Sequence, residues 1–221
     1  MVKLVAVTEP GERLQNLGIK TAEDLIVYIA RVSNPSNQTN TETGDRLIKY
    51  LIKNKHWSPF EHASATIEIT TSRAIAAQIL RHRSFTFQEF SQRYSRSLRL
   101  EPIEFRGQGK TNRQVGDTGV ILPLTVQDKV EKVQSESFDL YNQLIDIGVA
   151  RESARMILPL NTQTTIYMSG TLRSWIHYIQ LRNTTETQKE HRDIAFNVLK
   201  ILEPRFPITF EVLNKLFKYD Q

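Results

Sequence analysis

One stretch of arginines and aromatic residues stands out as the part of the chain most suited to chemistry. It runs from Arg73 to Arg99 and contains six arginines and no lysine. The arginines are Arg73, Arg81, Arg83, Arg93, Arg96 and Arg99, and the interleaved aromatic residues are Phe85, Phe87, Phe90 and Tyr94. A planar guanidinium binds phosphate or carboxylate through two parallel hydrogen bonds and stacks on flat rings, which a lysine ammonium cannot do. The segment therefore predicts an anion-binding site.

Two other interpretations of the same segment stay open at this point. A generic arginine cluster is often a solvated basic face, but here Glu89 and Ser91 lie between the arginines and aromatic residues follow them. Arginines and aromatic rings together also form stacking platforms for single-stranded nucleic acid. Residues 81–99 could therefore bind a nucleic acid instead of a small anion.

A second group of basic residues lies towards the C-terminus. Arg151 and Arg155 are one helical turn apart, so they share a helix face and could converge on one anion. Arg173 and His177 have the same spacing on a later predicted helix, and Arg182 is expected just past its end. Such a set of cations needs an anionic ligand, or the ligand of a second subunit, to offset it.

The chain contains no cysteine, which restricts the possible mechanisms. Disulfides, thiolate metal sites, iron–sulfur clusters and cysteine nucleophiles are excluded. The five histidines include no HExxH pair, and no metal site is predicted. Ser91 has no histidine placed in sequence to activate it, so we assign it to binding and not to nucleophilic attack.

Length and composition predict a single soluble domain spanning residues 1–221. The chain has 29 basic and 24 acidic residues, a net charge of +5 that suits anionic ligands in general. It has neither an apolar run of about 18 residues nor a basic then apolar N-terminus. We therefore expect a cytoplasmic protein.

Hydrophobic periodicity and capping residues predict the elements that must position these side chains. Strands are expected at residues 3–8, 63–71, 98–105 and 164–169, with Pro102 favouring an edge position for the third. Helices are expected at residues 21–32, 45–55, 125–146, 151–158, 171–181, 187–202 and 209–217. Ser72 is expected to cap a further helix that ends at Arg81, His82 and Arg83, and His56 is expected in a loop.

Two further predictions concern residues 106–119 and the helix at 125–146. The glycine-rich residues 106–119 predict a mobile loop within the domain. The helix at 125–146 carries an apolar seam that could pack on a neighbouring helix or on a second subunit. The seam consists of Val126, Val130, Val133, Leu140, Leu144 and Ile147.

The arginine segment resembles a known family. Arg81-His82-Arg83, then seven residues, then Ser91, followed by Arg93-Tyr94-Ser95, resembles the motif of the flavin-dependent thymidylate synthases. The resemblance extends over most of the chain, through Arg31-Val32-Ser33, His56-Trp57-Ser58-Pro59-Phe60-Glu61-His62, Gln78, Arg151-Glu152-Ser153-Ala154-Arg155, Leu158-Pro159-Leu160-Asn161, Arg173-Ser174-Trp175, Leu181-Arg182 and Gln188-Lys189-Glu190.

The resemblance implies reductive methylation of dUMP to dTMP, with 5,10-methylenetetrahydrofolate as carbon donor and NADPH as reductant acting through FAD. In this family hydride reaches the pyrimidine from the flavin, so no thiol is needed to activate the ring. The resemblance also implies a homotetramer whose sites are shared between subunits, with no nucleic-acid or membrane partner. We expect a mixed α/β fold, with a central, mostly antiparallel sheet packed with long helices.

The resemblance also assigns roles to individual residues. Arg182 is the expected catalytic residue, because it would face the uracil edge where negative charge develops. The residues implied to bind dUMP are Gln78, Arg81, Glu89, Phe90, Ser91, Gln92, Arg93, Arg155 and Arg182. The residues implied to bind FAD are Ser33, His56, Ser58, Glu61, Arg81, His82, Arg83, Gln88, Glu89, Thr171, Arg173 and His177.

Overall fold

The structure, a computed structural model, describes residues 1–97, 99–110 and 112–217. Leu98, the first residue of the predicted strand 98–105, lies outside the described residues, as does Thr111 of the predicted loop.

The described chain alternates between helices and short strands. The strands are β1 (Val2–Val7), β2 (Ser64–Ser72), β3 (Thr86–Glu89), β4 (Arg106–Gln108), β5 (Gly116–Gly119) and β6 (Gln163–Thr171). The α-helices are α1 (Glu12–Gln15), α2 (Ala22–Ala30), α3 (Gly44–Lys53), α4 (Arg73–Ile79), α5 (Leu124–Asp146), α6 (Arg151–Ala154), α7 (Leu172–Arg182), α8 (Lys189–Leu202) and α9 (Pro207–Phe217). Short 3₁₀ helices span Pro35–Asn37, Ser58–His62 and Arg155–Ile157.

The main sheet has four strands in the order β1-β2-β6-β3. β1 pairs antiparallel with β2, so that Val2 lies opposite Ile69 and Val7 opposite Ala65. Side chains on β2 alternate between buried and partly exposed, as period-2 patterning requires. The expected mixed α/β fold with an antiparallel sheet and helices is confirmed.

The residues group into two compact units. Unit one holds the described residues of 1–69, 82–87 and 167–221, and unit two holds those of 70–81 and 88–166. Unit one has an aromatic core of fully buried side chains, namely Phe60, Trp175, Tyr178, Phe206 and Phe210. In unit two the fully buried Tyr141 accepts a hydrogen bond from the Ser97 amide at 3.1 Å. The assignment of residues 1–221 to one domain stays a prediction.

Capping residues begin the helices where the sequence predicted. Thr21 forms a capping box with Asp24 at the start of α2, in which each side chain accepts a hydrogen bond from the other residue's amide. Ser72 caps α4 by accepting from the Ile75 amide at 3.3 Å. Because α4 ends at Ile79, Arg81, His82 and Arg83 follow in the turn after it.

Two predictions between residues 98 and 119 are wrong. Residues 101–105 are irregular, and Leu100 forms only an isolated bridge with Thr162, since Pro102 has no amide hydrogen to donate to a ladder. The predicted loop instead contains the antiparallel pair β4 and β5. A Cβ atom on Gly116 would lie 2.5 Å from the Cβ of Arg106, so glycine permits this close approach of the two strands.

Three elements, α7, β3 and α9, also differ from the prediction, whereas the predicted partner of the α5 seam stays a prediction. Arg182 is the last residue of α7 and does not lie beyond it. β3 was not predicted, and α9 begins at Pro207, two residues earlier than expected, because proline is favourable in the first turn of a helix. On α5 only Tyr141 is buried, so much of the predicted apolar seam is solvent-exposed in this chain.

Among the described residues, no helix combines the length and the apolar character needed to cross a membrane.

Candidate active site

Unit one contains a cavity of about 500 Å³. Four of the residues implied to bind FAD line it, namely Glu61, Thr171, Arg173 and His177. Five further residues complete the lining and were assigned no role from the sequence: Trp57, Ser84, Ser174, Ile176 and Gln180. The cavity therefore brings together part of the predicted flavin set with an indole, two hydroxyls and an amide.

Helix α7 supplies one wall of this cavity. Thr171 caps the helix by accepting a hydrogen bond from the Ser174 amide at 3.3 Å. Arg173, His177 and Gln180 follow at intervals of four and three residues, so they share the face that lines the cavity. The predicted sharing of a face by Arg173 and His177 is confirmed.

An ion pair joins two sides of the cavity. The Arg173 guanidinium contacts the Glu61 carboxylate, and both side chains are about half exposed. A pair this exposed contributes little to folding stability, because water screens the two charges. Its effect is to present one cation and one anion side by side to a ligand.

Gln180 provides a test of whether the cavity suits a flavin. Its Nε2 atom is buried and has no hydrogen-bond partner among the described residues. A buried amide donor without an acceptor is costly, so a ligand that offers a carbonyl or ring nitrogen would relieve it. A flavin carries such acceptors on a flat ring system, and Trp57 offers an aromatic surface in the same cavity. The residues fit the group.

The position of the Phe85 ring depends on Gly170. A Cβ atom at Gly170 would lie 2.4 Å from Cδ1 of Phe85. Phe85 is 8% exposed and stacks edge-on against Trp175, with ring centroids 4.7 Å apart. The ring therefore fills the space that a side chain at position 170 would need.

We expect Gly170→Ala to lower the free energy of unfolding by about 1–3 kcal/mol, because the added methyl forces Phe85 out of place. Chemical denaturation measures this difference. Gly11→Ala is the matched control, since a Cβ there meets nothing within 4 Å, and its change should stay within about 0.5 kcal/mol. Adding Phe85→Leu to Gly170→Ala should recover part of the loss, and equal losses for the two glycine variants would contradict this account.

Arg182 and His82 form a separate contact in unit one. Nε of Arg182 donates a hydrogen bond to Nε2 of His82 at 3.0 Å. The two residues are 100 positions apart in the sequence. The structure therefore pairs the expected catalytic arginine with a residue implied to bind FAD.

The remaining flavin residues of unit one are exposed and do not line the cavity. Ser33, His56, Ser58 and Arg83 are all solvent-accessible. His56 lies between α3 and the following 3₁₀ helix, as predicted, with its ring edge-on to Tyr50 at 5.8 Å. Their contacts to a flavin stay predictions.

Arg31, in the motif that precedes Ser33, has a structural role that the sequence did not reveal. It is 8% exposed, and its guanidinium donates to the carbonyls of Asn37 and Asn40 and to the Thr43 hydroxyl. The guanidinium thus holds the loop between α2 and α3 closed.

Among the residues of unit two that are implied to bind dUMP, Glu89 has a carboxylate that accepts hydrogen bonds from two other side chains. Its carboxylate accepts from the Arg73 guanidinium at 3.0 Å and from the Thr164 hydroxyl at 2.9 Å. Three elements, α4, β3 and β6, are thereby joined through one side chain. Arg73 was noted only as part of the arginine cluster, and its partner lies 16 residues away.

The segment after Glu89 turns sharply. The Phe90 amide donates to the Thr165 carbonyl at 2.9 Å, and the amides of Tyr94 and Ser95 donate to the Ser91 carbonyl at 3.1 and 3.0 Å. Ser91 and Arg93 are exposed in this turn. Gln92 differs from both, because it is 3% exposed and donates to the Ser97 hydroxyl at 3.0 Å.

The other members of the substrate set in unit two lie on separate elements. Gln78 is in α4, Arg81 is exposed just after it, and Arg155 is partly exposed in a 3₁₀ helix. Gln88, which was implied to bind FAD, is exposed on β3. Their predicted roles stay predictions.

The aromatic residues of the arginine segment do not form a continuous exposed platform. Phe85 is buried at 8% exposure, whereas Tyr94 is 85% exposed. Phe87 and Phe90 are only partly exposed. A stacking surface for single-stranded nucleic acid needs successive accessible rings, so this arrangement disfavours the nucleic-acid interpretation.

Comparisons with known proteins give a consistent result. The family model described as "thymidylate synthase complementing protein" matches residues 16–208. The chain is 50% identical over 218 residues to a probable flavin-dependent thymidylate synthase of Paramecium bursaria Chlorella virus 1, covering 96% of this chain and 98% of that protein. A flavin-dependent thymidylate synthase of Synechocystis sp. is 44% identical over 220 residues, covering 96% and 99%. One from Thermus thermophilus is 36% identical over 192 residues, covering 86% and 71%.

Proposed function

The chain belongs to the thymidylate synthase complementing protein family, and from that premise we propose that it is a flavin-dependent thymidylate synthase that methylates dUMP to dTMP. The finer parts of the proposal are FAD as the flavin, NADPH as reductant and 5,10-methylenetetrahydrofolate as carbon donor. The observation that carries it is the cavity of unit one, where four residues of the flavin set meet a buried amide donor with no partner among the described residues.

The flavin is proposed to bind in this cavity. Arg173 supplies positive charge and His177 an imidazole from one face of α7, Trp57 supplies an aromatic surface, and Gln180 supplies a hydrogen-bond donor. When bound and reduced, FAD would supply the hydride that converts the transferred one-carbon group into a methyl group.

The task proposed for Arg182 is electrostatic. Since the chain has no cysteine, no thiolate can add to the uracil ring to activate it. Instead the guanidinium stabilises the negative charge that develops on the ring oxygens and N3 as the ring becomes enolate-like. A planar fork suits this edge because two parallel N–H groups meet adjacent acceptors.

Residues of unit two are proposed to hold dUMP. Arg81, Arg93 and Arg155 are suited to its phosphate, because guanidinium–phosphate hydrogen bonds are charge-assisted and often bidentate. Ser91 adds a hydroxyl donor from the turn that its own carbonyl organises. Glu89 acts by fixing Arg73 and Thr164 around this segment.

We expect Ser91→Ala to raise the KM for dUMP by about tenfold, as for the loss of one hydrogen bond to a charged group, while kcat changes little. Steady-state kinetics with varied dUMP measures both values. Ser95→Ala, in the same turn but outside the predicted substrate set, is the control. A complete loss of turnover with dUMP still bound would instead support a nucleophilic role for Ser91.

A homotetramer is proposed as the working assembly. Several members of the α5 seam are exposed in the single chain, including Val133 at 65%, Leu140 at 48% and Ile147 at 77%. Apolar surface of this kind is typical of a face that packs against another subunit. Sedimentation equilibrium would test the tetramer.

The visible absorption spectrum of the purified protein tests the proposed function. A flavin band is expected, which bleaches when NADPH is added without oxygen and returns when dUMP and methylenetetrahydrofolate are both added. Chromatography should then detect dTMP. A colourless protein that also fails to take up added FAD would overturn the proposal, and salt-dependent binding of single-stranded nucleic acid would then be measured in its place.

A further inference from the structure

The contact between Arg182 and His82 fixes the state of the imidazole. Nε of the guanidinium carries a hydrogen that it cannot lose, so it is the donor in the 3.0 Å contact. Nε2 of His82 must therefore be unprotonated to accept it. The contact requires a neutral His82 with its hydrogen on Nδ1.

The surroundings of His82 favour this neutral state. Its ring lies edge-on to Tyr178 at 5.0 Å and to His191 at 6.1 Å between centroids. Arg182 and His177 are the nearby groups that disfavour a further positive charge. Burial, with these two charges, lowers the pKa of His82 to about 4, and burial lowers the pKa of His191 to about 3. Both imidazoles are therefore neutral at physiological pH.

The contact leaves the terminal nitrogens of Arg182 available. Nε is occupied by His82, whereas the two terminal Nη groups make no hydrogen bond or ion pair to any residue in the described part of the chain. An arginine tethered at Nε has lost rotational freedom but keeps a fork of terminal N–H groups for a ligand. The side chain is also only partly exposed.

We propose that His82 is a positioning residue, whose Nε2 accepts the Nε hydrogen of Arg182 and thereby directs the terminal N–H groups of the guanidinium at the pyrimidine edge of the substrate. The proposal rests on the role of Arg182 in the proposed thymidylate synthesis. It gives His82 a task that is separate from contact with the flavin.

The packing around the imidazole explains why a histidine suits this position. A carboxylate acceptor would neutralise the guanidinium and weaken its pull on the developing negative charge. A neutral imidazole accepts the hydrogen and leaves the positive charge intact. Tyr178 and the fully buried His191 both hold the ring by edge-on aromatic contacts.

Three variants test the proposal. His82→Phe keeps a ring but removes the acceptor, and it should lower kcat by about 10- to 100-fold with a smaller change in the dUMP dissociation constant. His82→Gln keeps an acceptor oxygen near the position of Nε2 and should restore much of the loss. In the Arg182→Ala background, His82→Phe should cost little more, because its effect acts through the arginine. The proposal would be overturned if kcat of the double variant fell by the product of the fold-losses of the two single variants.

A spectroscopic readout does not depend on turnover. In ¹⁵N spectra of histidine-labelled wild-type protein, Nε2 of His82 should give the shift of an unprotonated ring nitrogen between about pH 5.5 and 8, assigned by its absence in His82→Gln. A protonated Nε2 in this range would contradict the contact, even if His82→Phe failed to fold. If this shift is found but the wild type forms no dTMP, the proposed function fails while the contact stands.

Discussion

Arg182→Ala is expected to slow turnover by about a hundred- to a thousandfold while flavin and dUMP still bind, as for the loss of one preorganised donor to a developing oxyanion. The reason is that the terminal N–H groups of Arg182 have no partner among the described residues, so a ligand can take all of their hydrogen-bonding capacity. Single-turnover formation of dTMP from the reduced, flavin-loaded protein measures the effect directly.

Arg182→Lys should rescue little of this loss. A lysine ammonium carries the charge, but it has neither the planar fork nor an Nε hydrogen for His82 to accept. Arg205→Ala is the matched control, because Arg205 is exposed and outside the candidate site. Normal turnover in Arg182→Ala with flavin bound would show that ring activation depends on another group.

Capping residues, strand alternation and helical spacing were sufficient to predict the elements whose structure depends mainly on their own sequence. Thr21 and Ser72 begin helices because a hydroxyl can satisfy an amide of the first turn within three residues. β2 was predicted because its side chains alternate strictly, and one face packs in the core. The shared face of Arg173 and His177 follows from the helical repeat alone.

Such local patterns did not predict the contacts between segments that are distant in the sequence. Nothing local in the sequence indicates that Gly116 lies against Arg106, so a glycine-rich stretch was predicted as a loop although it forms a strand pair. The contact between His82 and Arg182 likewise joins residues that are far apart in the sequence. The resemblance named both residues, but it did not indicate that they touch.

The residues that line the cavity were likewise only partly predicted from the sequence. Its charged residues were assigned through the resemblance, whereas Gln180 and Trp57 were not. A useful signal was available for Gln180, since it lies three residues after His177 on the same helix face. The fact that its amide is buried without a partner among the described residues depends on tertiary packing, which periodicity does not reveal.

Glu23→Ala is expected to lower the free energy of unfolding by about 2–4 kcal/mol, because it removes the acceptor for three donors, two of which are buried. The Glu23 carboxylate accepts from the Ile208 amide at 3.2 Å, and from the amide and hydroxyl of Thr209 at 2.7 Å each. These amides belong to the first turn of α9, where no carbonyl of the helix can reach them. One side chain of α2 therefore caps a helix more than 180 residues later.

The pH dependence of Glu23→Gln separates hydrogen bonding from charge. Burial raises the pKa of the Glu23 carboxyl above its ordinary value, and the hydrogen bonds from Thr209 and Ile208 offset only part of that rise. The contribution of Glu23 to stability is therefore complete below its pKa in the unfolded chain, and it decreases as the pH rises through its pKa in the folded protein. The side-chain amide of the Glu23→Gln variant does not titrate, so denaturation curves measured from about pH 4 to 8 should show the wild type losing stability relative to this variant as the pH rises. The opposite trend would mean that the attraction between the carboxylate and the α9 N-terminus outweighs the cost of burying its charge.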